Sequence, residues 1–445
     1  MLDFCHSLKG DSGYQGESVF DNTRRGDMRR KAVKIISFGA LLMFISSLAL
    51  GAGFKLPEQG AKAMGMSMAW TAQADNPSAI YYNPAGITQL KGKQILTGGT
   101  IIFANGSSFD GTVTSPWSVL GDPPISTSES GKDQTFFGPV FYYTHQINEK
   151  FFVGIGVNGP FGLARTYDPT KTVAVVTQHV KLTTVVVNPT IAYKINDMIS
   201  VGGGIDYMYG KAQLDKVVPP HAPIAGVFPG YPGTVFHLEG DGDTWSFNGG
   251  VLVTPGYNLR FGVSYRGRYN LDIDGDATAL LGTTGGSTTL KMADILNVAI
   301  AYQTEKLTVE FDYDYTFWSR YKNLDITTDT DVVGLGTTFT PQPKNWDDVA
   351  AYRLGFNYKF SDKCYGSLGL FIDENPAPDA TLSAELPDAD RKGFSVGAGS
   401  SWKGVDFDLS YIYFNYDDRT VNNSNFNGTW KNEAHLFSIN VAYKF

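Results

Sequence analysis

The chain has 445 residues, of which 50 are glycine, 13% are aromatic and 18% are charged. Its mean hydropathy of -0.15 shows that apolar residues are diluted along the sequence, which is typical of strands with one apolar face. A formal net charge of -8, with scattered Lys and Arg residues, excludes a basic surface for nucleic acid. Nothing resembles a linker between soluble domains, so we expect one large architecture.

The first predicted element is a leader. Basic residues at 29–31 and at Lys34 precede an apolar run over 35–50, which is the pattern of a secretory signal peptide. Small residues around Leu50 predict cleavage after Gly51. The preceding residues 1–27 are polar and lack targeting character, so we expect residues 28–51 to be the signal peptide and 1–27 to be a mis-assigned extension. An uncleaved anchor is the alternative, although the run is short for a membrane span.

The next segment, residues 52–92, is rich in Gly and Ala and shows little strand alternation. It precedes a long region in which apolar and polar residues alternate. We therefore predict that it forms an N-terminal hatch, or plug, within the structure that residues 93–445 build. A barrel of fourteen strands would otherwise leave an aqueous hole.

Residues 93–445 carry the period-two pattern of strands that are apolar outside and polar inside. At the C-terminus, for example, Phe437 and Ile439 alternate with Ser438 and Asn440. The pattern predicts fourteen strands, near residues 94–104, 134–145, 150–159, 178–194, 198–213, 243–254, 257–271, 288–303, 306–316, 348–360, 363–373, 390–402, 404–417 and 433–445.

The connections between these strands alternate between tight turns and long polar loops, which is typical of outer-membrane barrels. No further apolar helical span follows the leader, so a membrane location requires a closed sheet. We therefore predict an all-β membrane protein, a 14-stranded antiparallel transmembrane β-barrel with an N-terminal hatch. The alternative is a soluble β-sandwich, but its aromatic faces would then form a surface prone to aggregation.

Charged residues also fall on the predicted inner face. Glu310, Asp312 and Asp314 alternate with apolar residues on one strand, and Arg353 and Lys359 do so on the next. We expect these groups to face the lumen as cross-strand partners that hold the wall and the plug. A proton relay is the less favoured interpretation.

Several motifs resemble the FadL-type family of outer-membrane transporters. The segments 52–59 (AGFKLPEQ) and 74–86 (ADNPSAIYYNPAG) are similar to the hatch signature of that family, and 318–319, 352–355, 373–378 and 386–391 follow in the family's order. The resemblance covers the whole mature chain. It implies uptake of long-chain fatty acids or, in some branches, aromatic hydrocarbons across a Gram-negative outer membrane.

The resemblance also implies a route in which the mature N-terminus blocks a lumen pocket and the ligand leaves sideways at a kinked third strand. Pro and Gly within a strand interrupt its ladder, which matches residues 158–162, although an ordinary loop starting at Pro160 is the alternative. Cationic partners for a carboxylate are expected near the kink and on the seventh strand, where Asn270 stands in place of a family lysine. The candidate ligand-binding and gating residues are Phe54, Leu56, Asn83, Pro84, Ala85, Asn158, Gly159, Pro160, Phe161, Arg165, Arg266 and Arg268.

Other functions are less well supported. The mature histidines show no metal or triad spacing, and no nucleophile elbow or phosphate loop appears, so we predict no enzyme activity, no metal and no cofactor. Acidic segments at 241–243 and 272–276 are interpreted as solvated loops, with Ca²⁺ binding as the alternative. A general porin would share the barrel without needing a plug. We expect a monomer in outer-membrane lipid, whose terminal Phe445 is read by the barrel-assembly machinery.

Overall fold

In a computed structural model, residues 53–116, 123–218, 234–279, 281–332 and 338–445 are described, so the predicted leader lies outside the described residues. Long antiparallel strands dominate these ranges. The barrel strands are β1 Lys93–Ala104, β2 Gln134–Gln146, β3 Phe151–Asn158 continuing as Gly162–Thr166, β4 His179–Lys194, β5 Ile199–Val218, β6 Thr234–Gly256, β7 Leu259–Arg266 continuing as Asn270–Ala279, β8 Gly282–Lys291 continuing as Asp294–Gln303, β9 Leu307–Phe317, β10 Val349–Lys359, β11 Cys364–Asp373, β12 Arg391–Trp402, β13 Val405–Tyr416 and β14 Glu433–Lys444.

The sheet closes on itself. Each strand pairs antiparallel with its sequence neighbours, and β1 pairs with β14 from Gln94 opposite Lys444 to Ala104 opposite Ala434. The predicted barrel of fourteen antiparallel strands is therefore confirmed. Closure of the sheet is the condition for it to cross a membrane.

The predicted alternation of faces is also confirmed. On β14, Phe437 and Ile439 are exposed on the outside, whereas Ser438 and Asn440 are buried inside. The same pattern gives the barrel a continuous apolar exterior with many exposed aromatic rings. Phe445, at the end of the chain, is 62% exposed.

Short turns and long loops occupy opposite ends of the barrel. Tyr257 and Asn258 both have positive φ (56° and 62°), as do Lys403 and Gly404 (49° and 82°), and such turns match the twist of the strands they join. At the other end, loop strands Ser108–Val113, Ile125–Ser130, Arg419–Asn422 and Phe426–Lys431 form a separate four-stranded sheet. Loop strands Ile326–Thr328 and Phe339–Thr340 and 3₁₀ helices Thr172–Val175, Trp318–Arg320 and Asp379–Thr381 complete this end.

The two acidic segments are not loops, which corrects the interpretation made from the sequence. Residues 241–243 lie in β6 and residues 272–276 in β7, where Asp241 is directly opposite Asp274. Both strands extend beyond the part of the barrel whose exterior faces lipid. The Gly and Asp residues in these segments weaken the alternation of apolar and polar residues, so the sequence pattern did not predict that the strands extend this far.

The N-terminal segment, residues 53–92, packs against the inward face of the barrel. It contains two short helices, Ala61–Met64 and Ala79–Tyr82, and a 3₁₀ helix, Pro84–Gln89. None of the helices in the described ranges has the length and hydropathy needed to cross a membrane. Inward glycines allow its backbone to approach the wall: a Cβ on Gly262 would lie 2.3 Å from the carbonyl oxygen of Thr71, and one on Gly250 would lie 2.1 Å from Oδ1 of Asn83.

Inward carboxylates bind this segment to the wall. Asp312 accepts backbone hydrogen bonds from Trp70 and Thr71 (3.2 and 3.0 Å), and Glu310 accepts them from Ala72 and Gln73 (2.6 and 2.9 Å). Four consecutive N–H groups that would otherwise be buried without partners are thus satisfied.

Arg353 is the cation of the same region. Its guanidinium pairs with Asp314 on β9 and with Asp373 on β11 at 2.6 and 2.8 Å, as expected for a cross-strand partner. Lys359 does not join it, because this residue lies exposed beside the short turn after β10. The expected role of Lys359 is therefore wrong.

Candidate functional site

The wall of the barrel is broken at β3. The lower half of this strand pairs with β2, from Phe152 opposite Gln146 to Val157 opposite Phe141. The upper half, Gly162–Thr166, pairs with β4, but in the described part of the chain no ladder joins it to β2. The predicted interruption at Asn158–Gly162 is therefore present, and it leaves a gap between β2 and the upper half of β3.

The gap is bounded above and below by hydrogen bonds. At its upper end, the Lys132 backbone N–H donates to the carbonyl of Thr166 at 2.8 Å, and the Gln134 side chain donates to the Thr166 hydroxyl at 3.0 Å. Its lower end is the last ladder pair, Phe141 opposite Val157. The opening therefore spans only part of the height of the wall.

The N-terminal segment fills this gap from the inside. The Leu56 N–H donates to the carbonyl of Pro160 at 2.8 Å, and the Gly162 N–H donates to the carbonyl of Phe54 at 3.0 Å. The Gln59 side chain adds a bond to the carbonyl of Gly159 at 2.9 Å. Phe161 also forms a β-bridge with Lys55. Five candidate residues named from the sequence therefore lie together here: Phe54, Leu56, Gly159, Pro160 and Phe161.

The Phe54 side chain lies within a cluster of four other aromatic rings. Its ring centroid is 4.6 Å from that of Trp318, 5.6 Å from Trp346, 5.7 Å from Tyr321 and 6.0 Å from Phe161. These are the separations at which aromatic pairs attract one another. The cluster joins the N-terminus to the kink and to the loop after β9.

An apolar cavity lies directly on this cluster. Its cavity volume is about 100 Å³, within a larger space of about 900 Å³ that includes open solvent. Leucine, isoleucine and aromatic side chains dominate its wall, and Phe54 is one of the lining residues. Its lining includes Phe54, Leu163, Leu182, Leu214, Ile273, Leu290, Tyr321, Ile326, Trp346 and Leu386.

Four charged residues also line the cavity: Lys181, Glu239, Lys344 and Glu385. Lys344 pairs with Glu385, and both side chains are largely buried. Burial opposes ionisation of Glu385, but Lys344 and Lys216 more than offset it and hold the pKa of this carboxyl at about 2. The sequence did not predict either Lys344 or Glu385 as a site residue, because each lies in a loop without strand periodicity.

Two of the predicted arginines are buried in different surroundings. Arg165 follows the kink and is 2% exposed, and its Nε and Nη1 have no hydrogen-bond partner among the described residues. Arg266 pairs with Asp206 and donates to the carbonyl of Tyr81 at 3.2 Å. Arg165 is therefore a cation with spare donors next to the gap, whereas Arg266 is already committed to the wall and the N-terminal segment.

Arg268 does not share the lumen with Arg266, which corrects its assignment as a headgroup contact. Arg266 and Tyr269 are both buried on the inner face, although they are three residues apart, while Arg268 is exposed. A bulge at Gly267 and Arg268 therefore reverses the alternation of β7 and turns Arg268 to the exterior. The sequence there reads as one continuous strand.

Residues 83–85 lie away from the cavity. The Asn83 side chain donates to the carbonyls of Thr71 and Val251 at 2.8 and 3.0 Å, and its Oδ1 accepts from the N–H of Ala85 at 3.2 Å. Pro84 packs beside inward Gly202. These contacts fix the fold of the N-terminal segment and its position on β5 and β6.

Residues 42–445 match the protein family described as outer membrane protein transport protein (OMPP1/FadL/TodX). The chain belongs to this family. Its relatives include outer membrane protein P1 of Haemophilus influenzae, with 26% identity over 88% of this chain and 95% of the relative. The long-chain fatty acid transport protein of Escherichia coli K12 is 24% identical over 90% of this chain and 96% of the relative.

Solved structures share the fold. A Pseudomonas aeruginosa FadL homologue aligns over 88% of this chain and 100% of its own, with a TM-score of 0.74 and 20% identity. The Ralstonia pickettii toluene transporter TbuX aligns over 88% and 99%, with a TM-score of 0.65 and 17% identity. The family match and the closed barrel together identify an outer-membrane transport protein for hydrophobic compounds, not an enzyme.

Proposed function

We propose that the protein takes up long-chain fatty acids and releases them sideways through the gap at β3. The observation that carries this proposal is the double role of Phe54. Phe54 lines the apolar cavity, and its carbonyl accepts the hydrogen bond from Gly162 at the gap. In this proposal, displacement of Phe54 together with its neighbour Leu56 opens the cavity and loosens the contacts at the gap.

A sideways route suits the physical chemistry of an acyl chain. Each CH₂ group gains about 0.8 kcal/mol on leaving water, so a path through an aqueous lumen would forfeit most of the driving force. In this proposal the apolar cavity, the aromatic cluster and the gap give the acyl chain a largely apolar path from the outer loops to the lipid.

The carboxylate of a fatty acid needs a cation or hydrogen-bond donor when it leaves water. Lys344 supplies one at the wall of the cavity, and its existing partner Glu385 shows that this environment accommodates an ion pair. Arg165, with free donors beside the gap, is a second partner along the route. In this proposal the carboxylate passes from Lys344 towards Arg165 as the acyl chain enters the gap.

Residues 52–92 act as the hatch in this proposal, with Phe54 and Leu56 as its movable end. The remainder of the hatch stays in place, because Asn83, Pro84 and Ala85 fix it to the wall. The protein works as a monomer, since one barrel contains the cavity, the hatch and the gap. Its exposed Phe445 is the signal read during barrel assembly.

Uptake of radiolabelled oleate by cells that lack their own fatty acid transporter tests the proposal. The double variant Lys344→Met with Glu385→Gln removes this ion pair from the cavity wall. Lys216, which also interacts with Glu385, stays in place. We expect its oleate uptake to fall at least fivefold. Lys322→Met is the matched control, because Lys322 lies exposed in the same loop. Equal uptake by the double variant and the control would contradict fatty acid transport.

Aromatic hydrocarbons are the second candidate substrate class. The observation that favours them is the five-ring cluster around Phe54, which matches the geometry of ring-to-ring contact. Toluene carries no charge, so its uptake does not depend on Lys344. Toluene uptake that exceeds oleate uptake, and that persists in the double variant, would identify this class instead.

A further inference from the structure

Two neighbouring strands of the wall are distorted at the same height. β7 changes face between Arg266 and Tyr269, and β8 changes face between Lys291 and Ile295. The register of the pair is the same on both sides of the distortion: Arg266 is opposite Ile295, and Asn270 is opposite Lys291. The distortion therefore affects both strands together, and its result is a change of side-chain direction.

This change turns two cations outward. If the alternation were regular, the Arg268 side chain would point into the lumen like that of Arg266, and the Lys291 side chain would point there like that of Ile295. In the structure Arg268 and Lys291 are both exposed, whereas Arg266 and Ile295 are buried. Bulges that re-aim particular side chains are a recognised device of β-sheets near functional sites.

A third cation joins them through Asp294. Nε of Arg320 lies 3.1 Å from Oδ2 of this carboxylate, and the Arg320 side chain is 50% exposed. Oδ1 of Asp294 accepts from the Tyr265 hydroxyl at 2.6 Å and from the Arg268 backbone N–H at 3.1 Å. One nearly buried carboxylate thus organises the exterior surface of β7, β8 and the loop after β9. We call Arg268, Lys291 and Arg320 the outer cation patch.

The patch lies at the upper boundary of the apolar exterior. Arg268 follows the turn at Tyr257 by about ten residues, which at about 3.3 Å per residue and a tilt of about 40° corresponds to roughly 25 Å. This equals the height of the apolar band of such barrels. Below the patch, exposed Phe247 packs beside Tyr265 at 5.9 Å between ring centroids, as expected of an aromatic girdle.

We propose that the outer cation patch binds the phosphate groups of lipid A, the membrane anchor of lipopolysaccharide in the outer leaflet. Lipid A presents phosphorylated sugars at the height of the patch, with acyl chains that lie along the apolar wall below. Arg and Lys side chains form charge-assisted hydrogen bonds with phosphate, and basic pockets on the surface of membrane proteins bind lipid headgroups.

The surrounding charges define the extent of the patch. Further out on β7, Asp272, Asp274 and Asp276 are exposed, and Asp272 accepts a hydrogen bond from Thr289 at 2.7 Å. These carboxylates repel phosphate from the loop side, so an anion is favoured only at the membrane boundary. Asp294 neutralises one of the three cations and leaves two for the ligand.

The test is lipid A binding by purified, folded protein, measured by native mass spectrometry. The triple variant Arg268→Gln, Lys291→Gln, Arg320→Gln removes the patch. Lys392→Gln is the matched control, because Lys392 is an exposed outward lysine on the distant strand β12, paired with Asp417. Heat-modifiable migration on gels verifies that each variant is a folded barrel.

We expect bisphosphorylated lipid A to bind at least tenfold more weakly to the triple variant than to the wild-type protein or to Lys392→Gln. We also expect dephosphorylated lipid A to bind the wild-type protein and the triple variant equally. Unchanged binding in the folded triple variant would overturn the proposal. So would equally strong binding of phosphatidylglycerol or of dephosphorylated lipid A by the wild-type protein.

Discussion

Glu58 places a titratable carboxyl in the buried part of the N-terminal segment, at 4% exposure. Burial raises the pKa of Glu58 to about 7, although neighbouring Arg391 opposes the shift. The folded pKa lies above the unfolded value of 4.5, so the folded protein retains a proton that the unfolded chain loses. Stability therefore decreases as the pH rises from about 4.5 to about 7.

Glu58→Gln removes this titration. We expect the variant to be more stable than the wild type at pH 8, by on the order of 3 kcal/mol for a shift of this size, and equally stable at pH 4. Urea unfolding of the barrel in liposomes measures the difference. Glu305→Gln, in an exposed periplasmic turn, is the control. A difference that does not change between pH 4 and pH 8 would contradict the assignment.

Individual residues differ in how far the sequence alone could place them. Phe54 and Pro160 were identified because a motif and the chemistry of proline mark them, and both lie at the gap. Lys344 and Glu385 were missed because two loops that are distant in sequence bring them together at the cavity. Arg268 was misplaced because one extra residue in a bulge reverses every following side chain, and nothing in the local sequence marks the bulge.

At the scale of elements, the two halves of β3 and the N-terminal segment act as one unit. Replacing Gly159 and Pro160 with Val gives residue 160 an N–H group and favours continuous strand structure across the break. We expect oleate uptake to fall at least fivefold as the gap closes. Pro189→Val is the control, since Pro189 lies exposed on the adjacent β4, opposite Ile155. An equal loss in both variants would show that the effect is not specific to the gap.

The hatch and β6 form a second pair of elements whose fit can be tested. A Cβ at Gly250 would lie 2.1 Å from Oδ1 of Asn83, whereas one at the adjacent Gly249 would have no neighbour closer than 3.8 Å. Gly250→Val is therefore expected to displace residues 83–85 and to destabilise the protein by about 1–3 kcal/mol through overpacking.

Gly249→Val introduces the same side chain on the opposite face of the strand, so it serves as the control. We expect its unfolding midpoint in urea to remain within error of the wild type. Equal destabilisation by the two substitutions would mean that strand propensity, and not contact with the hatch, determines the cost.

The whole molecule was predicted from the sequence more completely than its site. Fourteen strands and their inward and outward faces follow from period-two alternation, because lipid outside and a polar lumen inside impose it on every strand. The extension of β6 and β7 beyond the membrane was not predicted, since water on both faces removes that constraint. The cavity lies among these extensions and the loops, which explains why, apart from Phe54, its lining residues were not predicted from the sequence.

The filled lumen leads to a prediction about the whole barrel. The N-terminal segment binds to inward groups on β9, including Asp312 and Glu310, and we propose that it blocks a straight path for hydrophilic solutes. We expect liposomes containing the intact protein to swell in arabinose no faster than protein-free liposomes. Deletion of residues 54–90 leaves an open barrel and should produce rapid swelling, because fourteen strands enclose a water-filled hole once the hatch is absent.

The comparison is made only with barrels whose folding is verified by heat-modifiable migration. Swelling that is already rapid with the intact protein would indicate a general porin and would remove the need for a sideways exit. Slow swelling of both forms would indicate that the outer loops, and not the hatch, close the barrel. Oleate uptake by the intact protein, combined with its exclusion of sugar, requires a path that separates the acyl chain from the aqueous lumen, and we propose that the gap at β3 is that path.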